Sequence, residues 1–283
     1  MSQTKHWRLL ESGPADGAWN MAVDEAMLEA GVAGLLVPTL RFYAWQPAGV
    51  SLGYFQPLDE AISLEEIARR GFGLVRRPSG GRAILHKDEL TYSVTVPDTG
   101  VSDGKSVMGS YRSISRGIEA GLGLLGVGAQ LAERKHEERM KAEGLPTVCF
   151  AKAAKCDMTV QGRKIVGSAQ TRRRGIIMQH GSVPIHIDAE EHLAVMPGDG
   201  VDEASKAKLM AAACGVADAL GRPVSYEELA AALAQGFAER LGLTLEPGEL
   251  TEWELAKARE LQEKKYTTDE WNRKPAKREA AEG

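Results

Sequence analysis

A cysteine and a lysine fifteen positions apart, Cys149 and Lys164, place a thiol and an amine in one block, CFAKAAKCDMTVQGRKIVGSAQTRRRG, residues 149–175. A thiolate attacks acyl carbons, but a free cysteine is only a few per cent ionised at neutral pH. A nearby ammonium favours the thiolate, with a ceiling on the gain. Lowering a thiol pKa from about 8.5 to roughly 6.5 raises the thiolate fraction about twenty-five-fold, while intrinsic nucleophilicity falls about ten-fold. The net benefit is a few-fold. The lysine must therefore do more, such as polarising the acyl carbonyl or holding an oxyanion beside backbone amides.

A second block, RRPSGGRAILHKDELTY, residues 76–92, offers a Gly-Gly turn between strands. Gly80 and Gly81 let a ligand approach the main chain, although on the glycines alone a tight turn is the better reading. Arg76 and Arg77 are consecutive in a strand, so one of them should face a site. His86 is a general base or a polar core residue, and the second reading is favoured. Gly167 and Ser168 follow the lysine and are candidates to bring amides and a hydroxyl near a carbonyl oxygen. The two blocks together make an acyl-handling enzyme the leading hypothesis.

The remaining cysteines read differently. Cys214, in MAAACGVA, has the setting of a small buried hydrophobe. Cys156 leads into a strand, where packing is favoured, yet it lies near enough to substitute for Cys149. No cysteine pair has metal-ligand spacing, so no metal is expected. The glycines match neither a dinucleotide fingerprint nor a P-loop.

The chain has 283 residues, a formal net charge of −4 and three irregularly spaced cysteines. This is long enough for a substantial core, and neither disorder nor a disulfide framework is indicated. No run approaches a membrane span, and the start MSQTKHWRLLESG lacks the pattern of a secretory signal, so a cytoplasmic location is expected. Slight acidity argues against a general nucleic-acid binder. Positive charge is local, at Arg76, Arg77 and Arg82 and again at Arg172, Arg173 and Arg174. The second run is either a solvated surface or a docking element.

Periodicity supplies the elements that must position these groups. A helix is expected over residues 16–30, with Trp19, Val23, Ala26 and Ala30 as its apolar stripe. LRFYAW and VSLGYF read as strands around Gln46-Pro47-Ala48-Gly49. Leu90, Tyr92, Val94 and Val96 alternate with Thr91, Ser93 and Thr95. A helix over 106–125 carries Tyr111, Ile114, Ile118, Leu122 and Leu125 inward. Residues 158–160, a Gln161-Gly162 turn and residues 163–167 form a hairpin, and 175–183 another strand. Ser63–Glu66, Ser225–Glu228 and Thr251–Glu254 have the spacing of capping boxes. Beyond residue 199 the pattern is helical, with Leu229, Leu233 and Phe237 as one stripe. The tail after Trp271 is polar. Intermixed strands and helices followed by a helical portion indicate an α+β fold.

These motifs resemble the biotin and lipoate protein ligase superfamily. RRPSGGRAILH is similar to its acyl-pocket motif, and GRKIVGSAQTRRRG with QHGS (residues 179–182) to its lysine motif and following strand. The resemblance narrows to the cysteine–lysine octanoyltransferases through WRLLESGPADGAWNMAVDEAML, RFYAWQPAGVSLGYFQ and KKYTTDEWN. It covers nearly the whole chain. It implies a mixed β-sheet packed with helices, the class II synthetase-like fold. The catalytic domain would span residues 1–248, with its core at about 33–248, and a helical segment and tail would occupy 249–283.

The resemblance makes Cys149, in Val148-Cys149-Phe150, the nucleophile and Lys164 its partner. Arg76, Ser79, Gly80, Gly81 and His86, with Gly167 and Ser168, would bind the acyl substrate, and Leu74 and Val75 would help shape its tunnel. It implies an octanoyl donor on acyl carrier protein and an acceptor lysine on the glycine cleavage H protein or another lipoyl-domain protein. No cofactor, ATP, metal, nucleic acid or membrane is implied, and a monomer is expected. After the nucleophile the sequence departs from the family, with Ala151-Lys152-Ala153 where an acidic residue, alanine and proline are usual. That puts the loop's conformation and partner preference in question. Arginines 172–174, with Lys152 and Lys155, are candidates to attract an acidic partner. The rivals are an ATP-dependent lipoate ligase, an amidotransferase between lipoyl domains, and a non-catalytic module that binds acylated carrier proteins.

Overall fold

A computed structural model describes residues 5–58, 62–132, 157–196 and 200–273. Its first part runs β1 (Lys5–Ala15), α1 (Gly17–Val32), β2 (Thr39–Trp45), β3 (Gly49–Leu52) and α2 (Leu64–Arg69). Next come β4 (Gly73–Arg76), β5 (Ile84–His86), β6 (Glu89–Pro97), α3 (Val107–Leu124) and β7 (Gln130–Leu131). The hairpin region holds β8 (Met158–Val160), β9 (Arg163–Arg173) and β10 (Ile176–Pro184). Helices α4 (Ala189–Val195), α5 (Glu203–Ala212), α6 (Val216–Leu220) and α7 (Tyr226–Leu241) follow. Strand β11 (Leu243–Pro247) and helices α8 (Glu252–Leu261) and α9 (Asp269–Asn272) close the described chain.

Eight strands form one mixed sheet in the order β11-β1-β2-β6-β10-β9-β8-β7, and three form a small sheet, β4-β3-β5. β1 is parallel to both neighbours, and β2, β6, β10 and β9 are paired antiparallel. The fold is α+β. One face of the large sheet carries α3 and α7, where Leu90, Tyr92, Val94, Ile177 and Val183 meet Ile114, Ile118, Leu122, Leu233 and Phe237. The other face carries α1, where Leu28 meets Ile176 and Met178. Because both faces are covered, β6 is buried along nearly its whole length, including the Thr/Ser set.

Helix α1 is more enclosed than an amphipathic stripe implies. Asn20, Asp24 and Glu25 are as buried as Val23 and Ala26, while Trp19 is only half-buried. The helix lies between the large sheet and α8, so polar residues sit on a side the stripe leaves to solvent. The capping boxes also divide. Only Thr251–Glu254 is reciprocal. At Ser63 and Ser225 the hydroxyl caps the helix, but Glu66 turns to Arg69 and Arg70, and Glu228 turns to Arg222. Among the described residues no helix is long and apolar enough to cross a membrane.

Candidate active site

Lys164 sits where the β8–β9 hairpin meets the rest of the chain. Gln161 (φ 49°) and Gly162 (φ 80°) take left-handed conformations at the turn, the geometry that suits a two-residue hairpin. The ladder pairs Val160 with Arg163 and Thr159 with Lys164, and then skips to pair Met158 with Val166. Ile165 is therefore an extra residue, a β-bulge. Ile165, Val166 and Met158 all enter the core beneath α3 and α7. Strict alternation from Val166 would send Lys164 into that core as well. The bulge re-aims it to the face that carries α1, a use of bulges known beside functional sites.

On that face Lys164 meets Asp157. Its Nζ lies 2.8 Å from Asp157 Oδ2, and the two side chains are 7% and 4% exposed. The lysine backbone is pinned from the other edge, where Cys214 N donates to Lys164 O at 2.9 Å and Ala213 bridges to the same residue. Cys214 itself is fully buried, and burial pushes its thiol up to about 11. It is a packing residue with no thiolate to offer near neutrality. Cys149 and Cys156 lie outside the described residues.

The Gly-Gly turn is held by its two arginines. Arg77 donates to Ser51 O and Oγ, each at 3.0 Å, to Gly80 O at 2.8 Å and to Arg82 O at 2.7 Å. Arg76 donates to Gly53 O and Gln56 O, each at 2.7 Å, and to Asn272 O at 3.1 Å. Both turn inward to carbonyl oxygens, a fork of donors well suited to loop backbone. The turn is also tied to the main sheet, through Ser79.

Ser79 Oγ lies 2.5 Å from His180 Nε2, and His180 Nδ1 lies 3.0 Å from Asp24 Oδ2. Asp24 is further held by Arg41 Nη1 at 2.7 Å and Tyr43 OH at 3.0 Å. Burial pushes the Asp24 carboxyl up, but the Arg41 guanidinium and His180 outweigh it and hold the group below its ordinary value. A parallel chain serves the small sheet. His86 Nε2 lies 2.7 Å from Ser51 Oγ and its Nδ1 2.8 Å from Glu89 Oε1, with the ring stacked on Trp45 at 3.9 Å. Glu89 accepts further from Thr91 and Ser182. His86 is a buried polar core residue in this setting, bridging the two sheets.

Of the expected site residues, Ser79, Gly80 and Gly81 gather at the turn with His180 beside them. Gly167, paired with Ser182, shares the face of Lys164 and His180 by alternation. Ser168 does not. It stands opposite Gly181 on the α3 face, where its Oγ accepts from Tyr92 OH at 2.7 Å. Arg172 reaches the start of α3 and Arg173 reaches Glu25 and Glu29 of α1, while exposed Arg174 occupies the turn (φ 47°). Two of the three supposed docking arginines are committed within the molecule. Sequence reasoning missed Asp157, His180 and Asp24. Counting back across the Gln161-Gly162 turn would have found the first; the others are joined only by the tertiary fold.

A family model, the lipoyl protein ligase A/B catalytic domain, matches residues 16–238, and the chain belongs to that family. An octanoyltransferase LipM of Symbiobacterium thermophilum is 46% identical over 270 residues, spanning 94% of this chain and 98% of the relative. Its counterpart in Kyrpidia tusciae is 45% identical over 269 residues with the same coverage. A bi-partite lipoate protein ligase from Thermoplasma acidophilum superposes with a TM-score of 0.78 at 27% identity, covering 98% of this chain and 99% of that one. Full-length similarity to the LipM proteins narrows the family to its octanoyltransferases, and the chain is an acyltransferase of that branch.

Proposed function

We propose that this acyltransferase moves octanoate from acyl carrier protein to a lysine of the glycine cleavage H protein or another lipoyl-domain protein, through a thioester on Cys149. The observation that carries the reading is Lys164, buried and fixed by an acid, re-aimed by a bulge to the face that bears the glycine turn. The Cys149 thiolate attacks the donor thioester, the phosphopantetheine thiolate leaves, and the new thioester is nearly isoenergetic with the old. The acceptor amine then attacks the acyl-enzyme carbonyl. The tetrahedral intermediate expels the Cys149 thiolate, the proton lost by the amine nitrogen passes to that sulfur, and an amide downhill of the thioester remains. Lys164 donates to the carbonyl oxygen as charge develops there. Ser79, Gly80, Gly81 and Gly167 border the acyl chain; Arg76 and His86 support that border from behind. The donor is already activated, so the reading requires no ATP.

Intact-mass measurement after mixing with octanoyl carrier protein, without ATP, tests donor and nucleophile together. The expected result is one octanoyl increment on the peptide containing Cys149, removed by a lipoyl-domain acceptor. No increment, or an undiminished transfer rate in Cys149→Ser, would sink the thioester route. Transfer only from free octanoate with ATP would point to a ligase.

A further inference from the structure

We propose that the apolar loop after β3, led by Phe55, together with Arg82 of the glycine turn, is the surface on which the acceptor protein seats its lysine-bearing segment. The proposal rests on the transfer reading above and deepens it. Phe55 is 60% exposed, yet its loop is firmly held. Arg76 donates to the carbonyls of Gly53 and Gln56, each at 2.7 Å, and Gln56 N donates to Gly53 O at 3.0 Å. The Phe55 ring packs edge-on against Tyr54 at 4.7 Å, and Tyr54 packs in turn against Trp271 at 5.6 Å. Pro57 is exposed as well, and Tyr54 and Trp271 are half-buried. A rigid, exposed aromatic ring loses little freedom when a partner covers it, which is why such rings anchor protein interfaces.

The position of this loop decides what covers it. Tyr54 N donates to Ser79 O at 2.9 Å, and Gly53 lies so close to Gly81 that a Cβ has no room between them. The aromatic loop is therefore a rim of the turn that borders the acyl chain in that reading. The two protein substrates reach the turn differently. The carrier presents its acyl group at the end of a long phosphopantetheine arm, so its own surface can stop well short. The acceptor has only the aliphatic stem of a lysine, so the residues flanking that lysine have to approach the rim closely. Charge narrows the occupant further. Arg82 is exposed, and its side chain makes no hydrogen bond or ion pair among the described residues. A segment that brings another cation toward it is repelled unless that segment carries a carboxylate of its own. The occupant is thus an acceptor segment with an apolar side chain and an acidic residue close to the lysine.

Binding of fluorescently labelled apo glycine cleavage H protein, followed by anisotropy, tests the surface without any acyl chemistry. Phe55→Ala should weaken binding roughly ten- to thirty-fold, the size of an interface anchor's loss. Its melting temperature should match the parent's, because the ring is exposed. Arg82→Glu should weaken binding about ten-fold at low salt and far less at about 1 M salt, where the Debye length is ~3 Å. In turnover both variants raise the acceptor KM and keep kcat, while the whole-protein octanoyl increment from the carrier forms at the parental rate. Acceptor affinity within about two-fold of the parent in either variant overturns the assignment. Slower loading from the carrier with acceptor binding unchanged also overturns it and gives the patch to the carrier. A parent protein that transfers no octanoate at all overturns the transfer reading itself, and this surface with it.

Discussion

Adding one methyl group at Gly53 should open the glycine turn, and adding one at Gly80 should not. A Cβ at Gly53 would lie 1.8 Å from Gly81 O and 2.7 Å from its carbonyl carbon, where real contacts stay beyond 3.0 Å. Both atoms are backbone, so the end of β3 and the turn must part by at least ~1.2 Å to relieve the clash. That movement strains the Tyr54 N to Ser79 O bond of 2.9 Å and the Arg77 N to Leu52 O bond of 2.9 Å. Overpacking costs about 1–3 kcal/mol and each weakened hydrogen bond up to about 1 kcal/mol more, so Gly53→Ala should lose roughly 2–4 kcal/mol. A Cβ at Gly80 meets nothing within 4 Å. Gly80→Ala should therefore change stability by no more than about 0.5 kcal/mol. If the acyl chain lies against that open side, this variant should nonetheless transfer octanoate more slowly. Urea unfolding supplies the first quantity and the rate of octanoyl loading the second. A Gly53→Ala protein within about 0.5 kcal/mol of the parent would refute the packing argument, and a fully active Gly80→Ala would remove the turn's open side from the acyl path.

Three further outcomes follow from the buried network. Asp24 and Glu89 are held below their ordinary values: burial raises each, but Arg41 and His180 outweigh it at Asp24, and His86, Ser182 and Thr91 at Glu89. Groups depressed on folding stabilise the protein above their unfolded values, about 4, and lose that contribution as pH falls through the folded ones. The melting temperature should thus drop as pH falls below about 4, and Asp24→Asn should flatten the drop; a parallel profile argues against it. Cys214, with its thiol near 11, should resist iodoacetamide at pH 8 until the protein is unfolded, as peptide mass mapping can read. Labelling at the rate of a free thiol would contradict its burial. Arg8 grips Glu254 through two hydrogen bonds of 2.7 and 2.8 Å with both side chains buried. Glu254→Gln should cost about 2–4 kcal/mol in urea unfolding, because Arg8 stays buried without its counter-charge; a loss below about 1 kcal/mol would mean that solvent replaces the carboxylate.

Local pattern made much of the architecture legible. Strands β2, β3, β6, β8 and β10 and helices α3 and α7 fall where alternation, turn residues and serine caps put them. What local pattern could not supply is whatever depends on who lies on the second side. The stripe on α1 presumes one buried side, and α8 provides another. Glu66 and Glu228 have capping-box spacing, yet nearby arginines compete for their carboxylates, and a charged partner outbids a backbone N–H. Within the candidate site, Lys164 and the Gly-Gly turn are legible because both are short local motifs. His180 and Asp24 stand 156 residues apart in the chain, and no local spacing joins them. The bulge was hidden for a subtler reason. In KIVGSA the adjacent apolar residues Ile165 and Val166 interrupt alternation, but only the partner strand's register shows that Ile165 is supernumerary.

Glycine-rich turns are usually floppy, because glycine gives up the most conformational freedom on ordering. Here the turn is anchored on three sides by parts of the chain remote from one another. Arg77 binds it to β3, Ser79 binds it to β10 and α1 through His180 and Asp24, and Arg76 binds the preceding strand to α9 through Asn272. The last link runs in both directions, since Asn272 Oδ1 accepts from Arg76 N at 2.8 Å and Trp271 Nε1 donates to Arg76 O at 2.8 Å. Each anchor uses a buried polar or charged group that would be costly if left alone. The glycines can then be present for different physical reasons: Gly81 for a φ of 95°, Gly53 for close backbone approach, and Gly80 for unfilled space. Only the last of these leaves room for a ligand. The rigidity that presents this space comes from arginine, histidine and asparagine side chains, which also explains why C-terminal residues far from the glycine motif belong to the same mechanical unit.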